Sequence, residues 1–162
     1  MDEPLKMPVD ITTKKYLKSG EDWFGEQRGL IMSRIDFKVI PHDGLGMLIL
    51  ENTFNSRGGP PRHLHFDQEE WFYVVEGEFI FEVGQDSFRL QTGDSLLAPR
   101  KLPHVWAHIG GSNGRILVGF TPAGQMESFF RQYMRGNVLL PNDPKIWRAH
   151  GMELLGPPLN VE

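Results

Sequence analysis

The stretch PPRHLHFDQEEWFYVVEGE (60–78) holds two of the chain's six histidines in one tripeptide, beside a carboxylate pair and a strand-like run. Residues two apart in a strand share a face, so His63 and His65 point the same way. Glu70 lies five residues beyond His65, the wrong parity for one straight strand. Phe66-Asp67-Gln68-Glu69 must therefore turn or bulge before the next strand begins. After that turn Glu70, Phe72 and Val74 share a face, and a closing sheet can set Glu70 opposite the two histidines. Another imidazole would complete a ligand set, and His104, opening the run HVWAHI after the Pro99–Pro103 loop, is the candidate.

Working outward, apolar and polar residues alternate from Ile35 through Phe37 and Val39, and GMLILENTF (46–54) reads as a further strand. Then come EWFYVV, EFIFEV, DSFRLQ, DSLLAP, HVWAHI and RILVGF, separated by Gly-, Asp- and Pro-rich turns. The cluster Pro41-His42-Asp43-Gly44 is one such turn. Short strands at this spacing argue for an all-β sandwich or barrel. After residue 121 the period changes. Met126, Phe129, Phe130, Tyr133 and Met134 form a helical stripe, with Thr121 and Pro122 as expected cap and first residue and Gly136 as the stop. Asp143, Pro144 and Gly151 bracket a second short helix. Both helices read as packing elements, not as cofactor holders.

Bulk composition narrows the function. The chain has 162 residues, 40 % of them hydrophobic and 23 % charged, which fits one domain with a sizeable core. A net charge of −4 makes no electrostatic case for nucleic acid or an anionic membrane surface. No cysteine is present, which excludes thiolate metal sites, disulfides and cysteine nucleophiles. The N-terminal residues show no apolar signal segment, and no apolar run approaches the roughly 18–20 residues needed to span a bilayer. A soluble, cytoplasmic protein is the expectation. Three imidazoles and one carboxylate make a borderline donor set, suited to Fe, Mn, Co, Ni, Cu or Zn and poorly to Ca or Mg. Neutral imidazole is the ligand form, so binding is expected to weaken below about pH 6.

The same residues resemble the two motifs of the cupin superfamily. The first is Gly-X5-His-X-His-X3–4-Glu-X6-Gly; His63, His65, Glu70 and Gly77 match it, with Gly58 one residue out of register. The second is Gly-X5-Pro-X-Gly-X2-His-X3-Asn; Gly93, Pro99 and His104 match, while Lys101 replaces the internal Gly and His108 the Asn. Lys101 must then adopt a backbone that suits glycine better. The resemblance implies a jelly-roll barrel over residues 33–121, an N-terminal arm over 1–32, and C-terminal helices with a tail over 122–162. It implies one divalent transition metal held by His63, His65, Glu70 and His104. If His104 points inward, strand parity takes Trp106 and His108 with it, and Phe72 and Val74 join them as an aromatic, apolar substrate wall. His108 is either a proton carrier or substrate partner, or a residue that fills space near the metal; Trp106 reads as wall.

Many single-domain microbial cupins are grouped as quercetin dioxygenase-like. The expected function is thus a metal-dependent dioxygenase for a small aromatic or hydrophobic substrate, with Glu70 as ligand and candidate catalytic base. A non-redox metal-dependent isomerase, decarboxylase or hydrolase, or a small-ligand binding module, are the alternatives. The opposite strand face, Trp71, Tyr73 and Val75, is also apolar and needs a cover. The arm, a C-terminal helix or a second chain can supply it, and a homodimer is expected because cupins commonly dimerise.

Overall fold

Alternation in EEWFYVVE sets one face of a strand inward. In the computed structural model, which describes residues 16–41, 45–136 and 138–162, Glu70, Phe72 and Val74 are buried, while Trp71 and Tyr73 face out. Residues 1–15 and 42–44 lie outside the described residues, and with them nearly half of the expected arm and most of the Pro41–Gly44 turn.

Thirteen elements follow in order: β1 (Gly29–Leu30), β2 (Ser33–Val39), β3 (Leu48–Phe54), β4 (His63–His65), β5 (Glu69–Glu76), β6 (Phe79–Val83), β7 (Asp86–Leu90), β8 (Ser95–Ala98), β9 (His104–His108), β10 (Gly114–Thr121), α1 (Met126–Tyr133), α2 (Pro144–Ala149) and β11 (Met152–Leu154). The strands form two antiparallel sheets, β1-β2-β3-β10-β5-β8 and β11-β4-β9-β6-β7. They enclose one core in a jelly-roll barrel. Inward residues of both sheets interlock: Phe72 meets Phe81 at 4.8 Å between ring centroids, and Phe81 stacks on Trp106 at 5.7 Å. Each such fully buried aromatic ring stabilises the fold by about 2–3 kcal/mol.

Two features depart from expectation. Thr121 and Pro122 do not start the first helix. Thr121 is still paired with Glu69 as the last residue of β10, so the ladder claims it, and α1 begins five residues later behind Gln125, without a side-chain cap. The tail also contributes β11, which had no strand signal. It pairs with β4 along Met152–His65 and Leu154–His63. The second helix follows its expected grammar: the Asp143 side chain accepts from the Lys145 N–H, and Pro144 opens the helix.

The helices close one end of the barrel, and among the described residues nothing fully covers the outer face of β5. Trp71, Tyr73 and Leu97 there are 39 %, 36 % and 54 % exposed. Trp71 stacks on Tyr73 at 5.9 Å and pairs in register with Leu97 of β8.

Candidate metal centre

β4 is only three residues long, yet it carries two inward imidazoles. It is held from both sides, by β11 along its length and by β9 through the pair His63–His104. The chain then turns over Phe66–Gln68, and β5 restarts with Glu70 facing in, as the parity of the sequence demands. The β8–β9 loop is pinned to the same strand. Lys101 adopts φ 66° and donates its N–H to the His65 carbonyl at 2.7 Å. It keeps the left-handed turn that the motif assigns to glycine. Arg100 anchors the loop to β5 through Glu69, donating from its backbone N–H at 2.7 Å and its Nε at 2.6 Å.

These constraints bring one ligand atom each from His63, His65, Glu70 and His104 within 4.8 Å of one another, and all four residues are buried. The His104 and His65 Nε2 atoms lie 2.8 and 3.0 Å from Glu70 Oε2, and His63 Nε2 lies 4.0 Å from it. Proximity is not pairing here. Glu70 Oε2 and the Nε2 atoms of His65 and His104 lack a correctly directed hydrogen bond. Buried polar atoms left so are expensive, and a cation among them would satisfy all three. Three nitrogens and one oxygen fit a single borderline transition-metal ion.

The far sides of two rings are fixed. The His63 Nδ1–H donates to the Pro61 carbonyl at 2.7 Å, and the His65 Nδ1–H donates to Gln68 Oε1 at 3.0 Å. Each bond puts the proton on Nδ1 and leaves the Nε2 lone pair facing the cluster. Gln68 is itself held, its amide donating to the Pro122 and Ala123 carbonyls at 2.9 and 2.6 Å. Burial, aided by the neighbouring His104 and His65, pulls the His63 imidazole down to about 3. Burial pushes the Glu70 carboxyl up, but the charge of the neighbouring His104 and His65 outweighs it, and it lies below the usual carboxylate range. Neutral His63 and ionised Glu70 are the ligand forms.

A cavity of about 50 Å³ adjoins the cluster, touching His63, His65 and Glu70. Its walls are apolar: Leu50, Val118 and Phe120 from the barrel, Met126, Phe129 and Met134 from the first helical segment, and Trp147 from α2. The helical stripe read as barrel packing therefore also roofs the site. Trp147 reaches within 5.2 Å of the His63 ring, its indole N–H donating to Pro141 O at 2.7 Å.

Of the residues expected to form a substrate wall, Trp106 lines this cavity; Phe72, Val74 and His108 do not. Phe72 and Val74 are core residues, Phe72 packing edge-on against both Phe81 and Trp106. His108 is inward-facing, but four residues along β9 separate it from His104, about 13 Å of strand. It pairs with Phe79 where His104 pairs with Val83, stacks on Phe54, and its Nδ1–H donates to Ser56 O at 3.0 Å. The expectation of an extra histidine near the metal is therefore corrected: strand parity gave its face but not its depth. Two residues escaped the sequence reading. Gln68 sits in a turn and carried no pattern. Asn52 lines the cavity, and the inward series Leu48, Leu50, Asn52, Phe54 of β3 could have exposed it as the polar member of an apolar face.

Residues 52–120 match the family model described as Cupin domain. Over 102 residues the chain is 29 % identical to a 3-hydroxyanthranilate 3,4-dioxygenase of Xanthomonas campestris pv. campestris (strain B100), covering 59 % of this chain and 54 % of that protein. It thus spans about half the length of the curated relatives it matches. Among solved structures, an RmlC-like cupin from Shewanella frigidimarina superposes with a TM-score of 0.56 at 19 % identity, covering 71 % of this chain and 96 % of the other. Pac13, a nucleoside dehydratase from Streptomyces, superposes with a TM-score of 0.58 at 11 % identity, covering 91 % and 95 %. Both likenesses concern the fold alone. With its two half-motifs folded into one buried His3Glu cluster inside a jelly-roll barrel, the chain carries a cupin domain over residues 52–120.

Proposed function

We propose that this protein is a metal-dependent dioxygenase acting on a small aromatic or otherwise hydrophobic molecule beside His63, His65, Glu70 and His104. One observation carries the reading: a donor set of three imidazoles and a carboxylate, with orphaned buried atoms, opens onto an apolar cavity. Similarity to relatives named for 3-hydroxyanthranilate dioxygenation supports it. When bound, the metal supplies Lewis acidity and redox chemistry at the cavity wall. Gln68 and the Pro61 carbonyl hold the rings of His65 and His63 with their lone pairs aimed inward. The apolar helical roof keeps water away. Glu70 Oε2 lies among the Nε2 atoms of His65 and His104, which favours its role as ligand over its role as base.

Flavonols, as in the quercetinase-like version, and single-ring phenols both belong to the proposed substrate class. The cavity of about 50 Å³ favours the smaller ring, and even a benzene-sized guest needs about 150 Å³, so the walls must part on entry. An outer apolar groove of about 580 Å³ shares Leu30 and Leu140 with the cavity and offers the route. The Trp71–Tyr73–Leu97 face, exposed among the described residues, fits a homodimer contact.

The test is elemental analysis of tag-free protein, followed by oxygen uptake on single-ring phenols and flavonols after loading with Fe, Mn, Ni, Co or Cu. About one equivalent of metal, lost in a Glu70→Ala, His104→Ala double variant, with oxygen uptake on a phenol, is the expected result. Full turnover with zinc and no oxygen consumed would replace dioxygenation by a non-redox reaction. Metal binding without any turnover would leave a binding module, and failure to bind metal would remove the enzyme readings altogether.

A further inference from the structure

The cavity contains two polar groups that neither the fold nor the metal cluster uses. Asn52 is 4 % exposed and sits in an inward row, paired with Ile35 of β2 on one side and Ile116 of β10 on the other. Its Oδ1 has no hydrogen-bond partner. Trp106 is 3 % exposed, and its indole N–H is likewise unpartnered. Both residues line the cavity that His63, His65 and Glu70 also touch. No Lys or Arg lines it among the described residues. Arg28, the buried guanidinium, is committed elsewhere, to Asp22, to Glu26 and to the face of Phe37.

An unpartnered buried amide is destabilising, and an aliphatic side chain of similar size would be better tolerated at that position unless something else fills its hydrogen bond. Trp106 does pack, stacking on Phe81, but a phenyl ring would serve for packing without burying an idle N–H. The two groups together offer one acceptor and one donor, both uncharged, in an apolar chamber. A carboxylate entering that chamber would lose its water and meet no cationic side chain; the bound metal would be the one positive charge beside it, and the Glu70 carboxylate already offsets half of that charge.

We propose that Asn52 and Trp106 are the specificity-determining pair of this site, and that they select an uncharged hydroxylated or amino-substituted ring over its carboxylate-bearing counterpart. This rests on the metal-site reading above and narrows it: the favoured ligand is not the anion for which the Xanthomonas relatives are named. The Asn52 amide accepts from a ring O–H or N–H, and the Trp106 indole N–H donates to a ring oxygen.

The experiment is calorimetric titration of the zinc-loaded full chain with 2-aminophenol and with 3-hydroxyanthranilate, the same ring carrying a carboxylate. Zinc fills the site without oxygen chemistry, so binding is read apart from turnover. We expect 2-aminophenol to bind at least tenfold more tightly, and Asn52→Leu and Trp106→Phe each to weaken it by about tenfold, one buried hydrogen bond, at unchanged zinc content. Asn52→Leu should also raise the melting temperature of the ligand-free protein by about 2 °C or more, because an unpaired amide leaves the core. A fall in melting temperature would show that Asn52 has a structural role and overturn the assignment. Equal or tighter binding of 3-hydroxyanthranilate would overturn it too, as would unchanged affinity in both variants, or bound zinc with neither compound taken up. Failure to hold zinc is a separate result, which removes the metal-site reading and this inference with it.

Discussion

Lys101 shows how one residue can depart from a motif while its backbone does not. Its φ of 66° is the left-handed value for which glycine carries no penalty, and it is retained because the Lys101 N–H reaches the His65 carbonyl. Lys101→Gly should therefore stabilise the protein by about 0.5–1 kcal/mol, relief of left-handed strain exceeding the added freedom of the unfolded chain; thermal denaturation reads the sign. Gln68 acts by holding another side chain in place. Gln68→Leu leaves the His65 Nδ1–H without its acceptor and should weaken zinc binding by about 10- to 100-fold in a chelator competition, with little change in the far end of the barrel. His63 gives a pH dependence with a definite sign. Its folded pKa of about 3 lies below the ordinary 6.5, so the unfolded chain binds more protons between those values and stability falls as pH drops through that window. The melting temperature of metal-free protein should decline from pH 7 to pH 4, and the decline should flatten in His63→Ala.

Short elements here depend on their neighbours. β4 presents two ligands from three residues because β11 and β9 clamp it, and neither the tail nor the distant β9 is local to it in sequence. A comparable clamp fastens the segment before β1. Asp22 accepts from the Phe24, Glu26 and Phe37 N–H groups at 3.0, 3.1 and 2.8 Å and pairs with the buried Arg28 guanidinium. Burial raises the Asp22 carboxyl, but the Arg28 and backbone bonds overcome it and hold it below its ordinary 3.8. Its contribution is thus present above that value and lost as pH falls through the lowered one. Asp22→Ala leaves the buried guanidinium with Glu26 alone and three backbone N–H groups without their acceptor, and should cost about 3–5 kcal/mol, read as a lower urea midpoint.

At the scale of the molecule, two sheets and two helices divide the labour. The sheets bury an aromatic core at one end and the ligand cluster at the other, and the helices roof the cluster. Among the described residues, no helix is long and apolar enough to cross a membrane. The outer face around Trp71 and Leu97 is exposed among the described residues. If a second copy covers it, sedimentation will show a dimer that Trp71→Glu converts to monomer, without loss of bound metal. A monomeric parent protein would remove that proposal.

The strands from Ile35 to Phe120 and the second helix were legible in the sequence, because period-two alternation, turn residues and caps are local signals that local backbone geometry obeys. The clustering of the candidate ligands was legible as well: parity put His63 and His65 on one face, and the spacing to Glu70 required the turn that the chain makes. Depth and contact were not. Parity told that His108 faces inward, but only the register of β9 against β6 placed it at the opposite end from His104. The helical stripe announced an apolar face, and only the packing of Met126 and Phe129 over β4 and β5 made it the roof of a cavity. Asn52 and Trp106, far apart in the chain, became a pair when the barrel closed. A side chain's face is fixed by the few residues around it, whereas its distance from another side chain is fixed by every strand pairing between them.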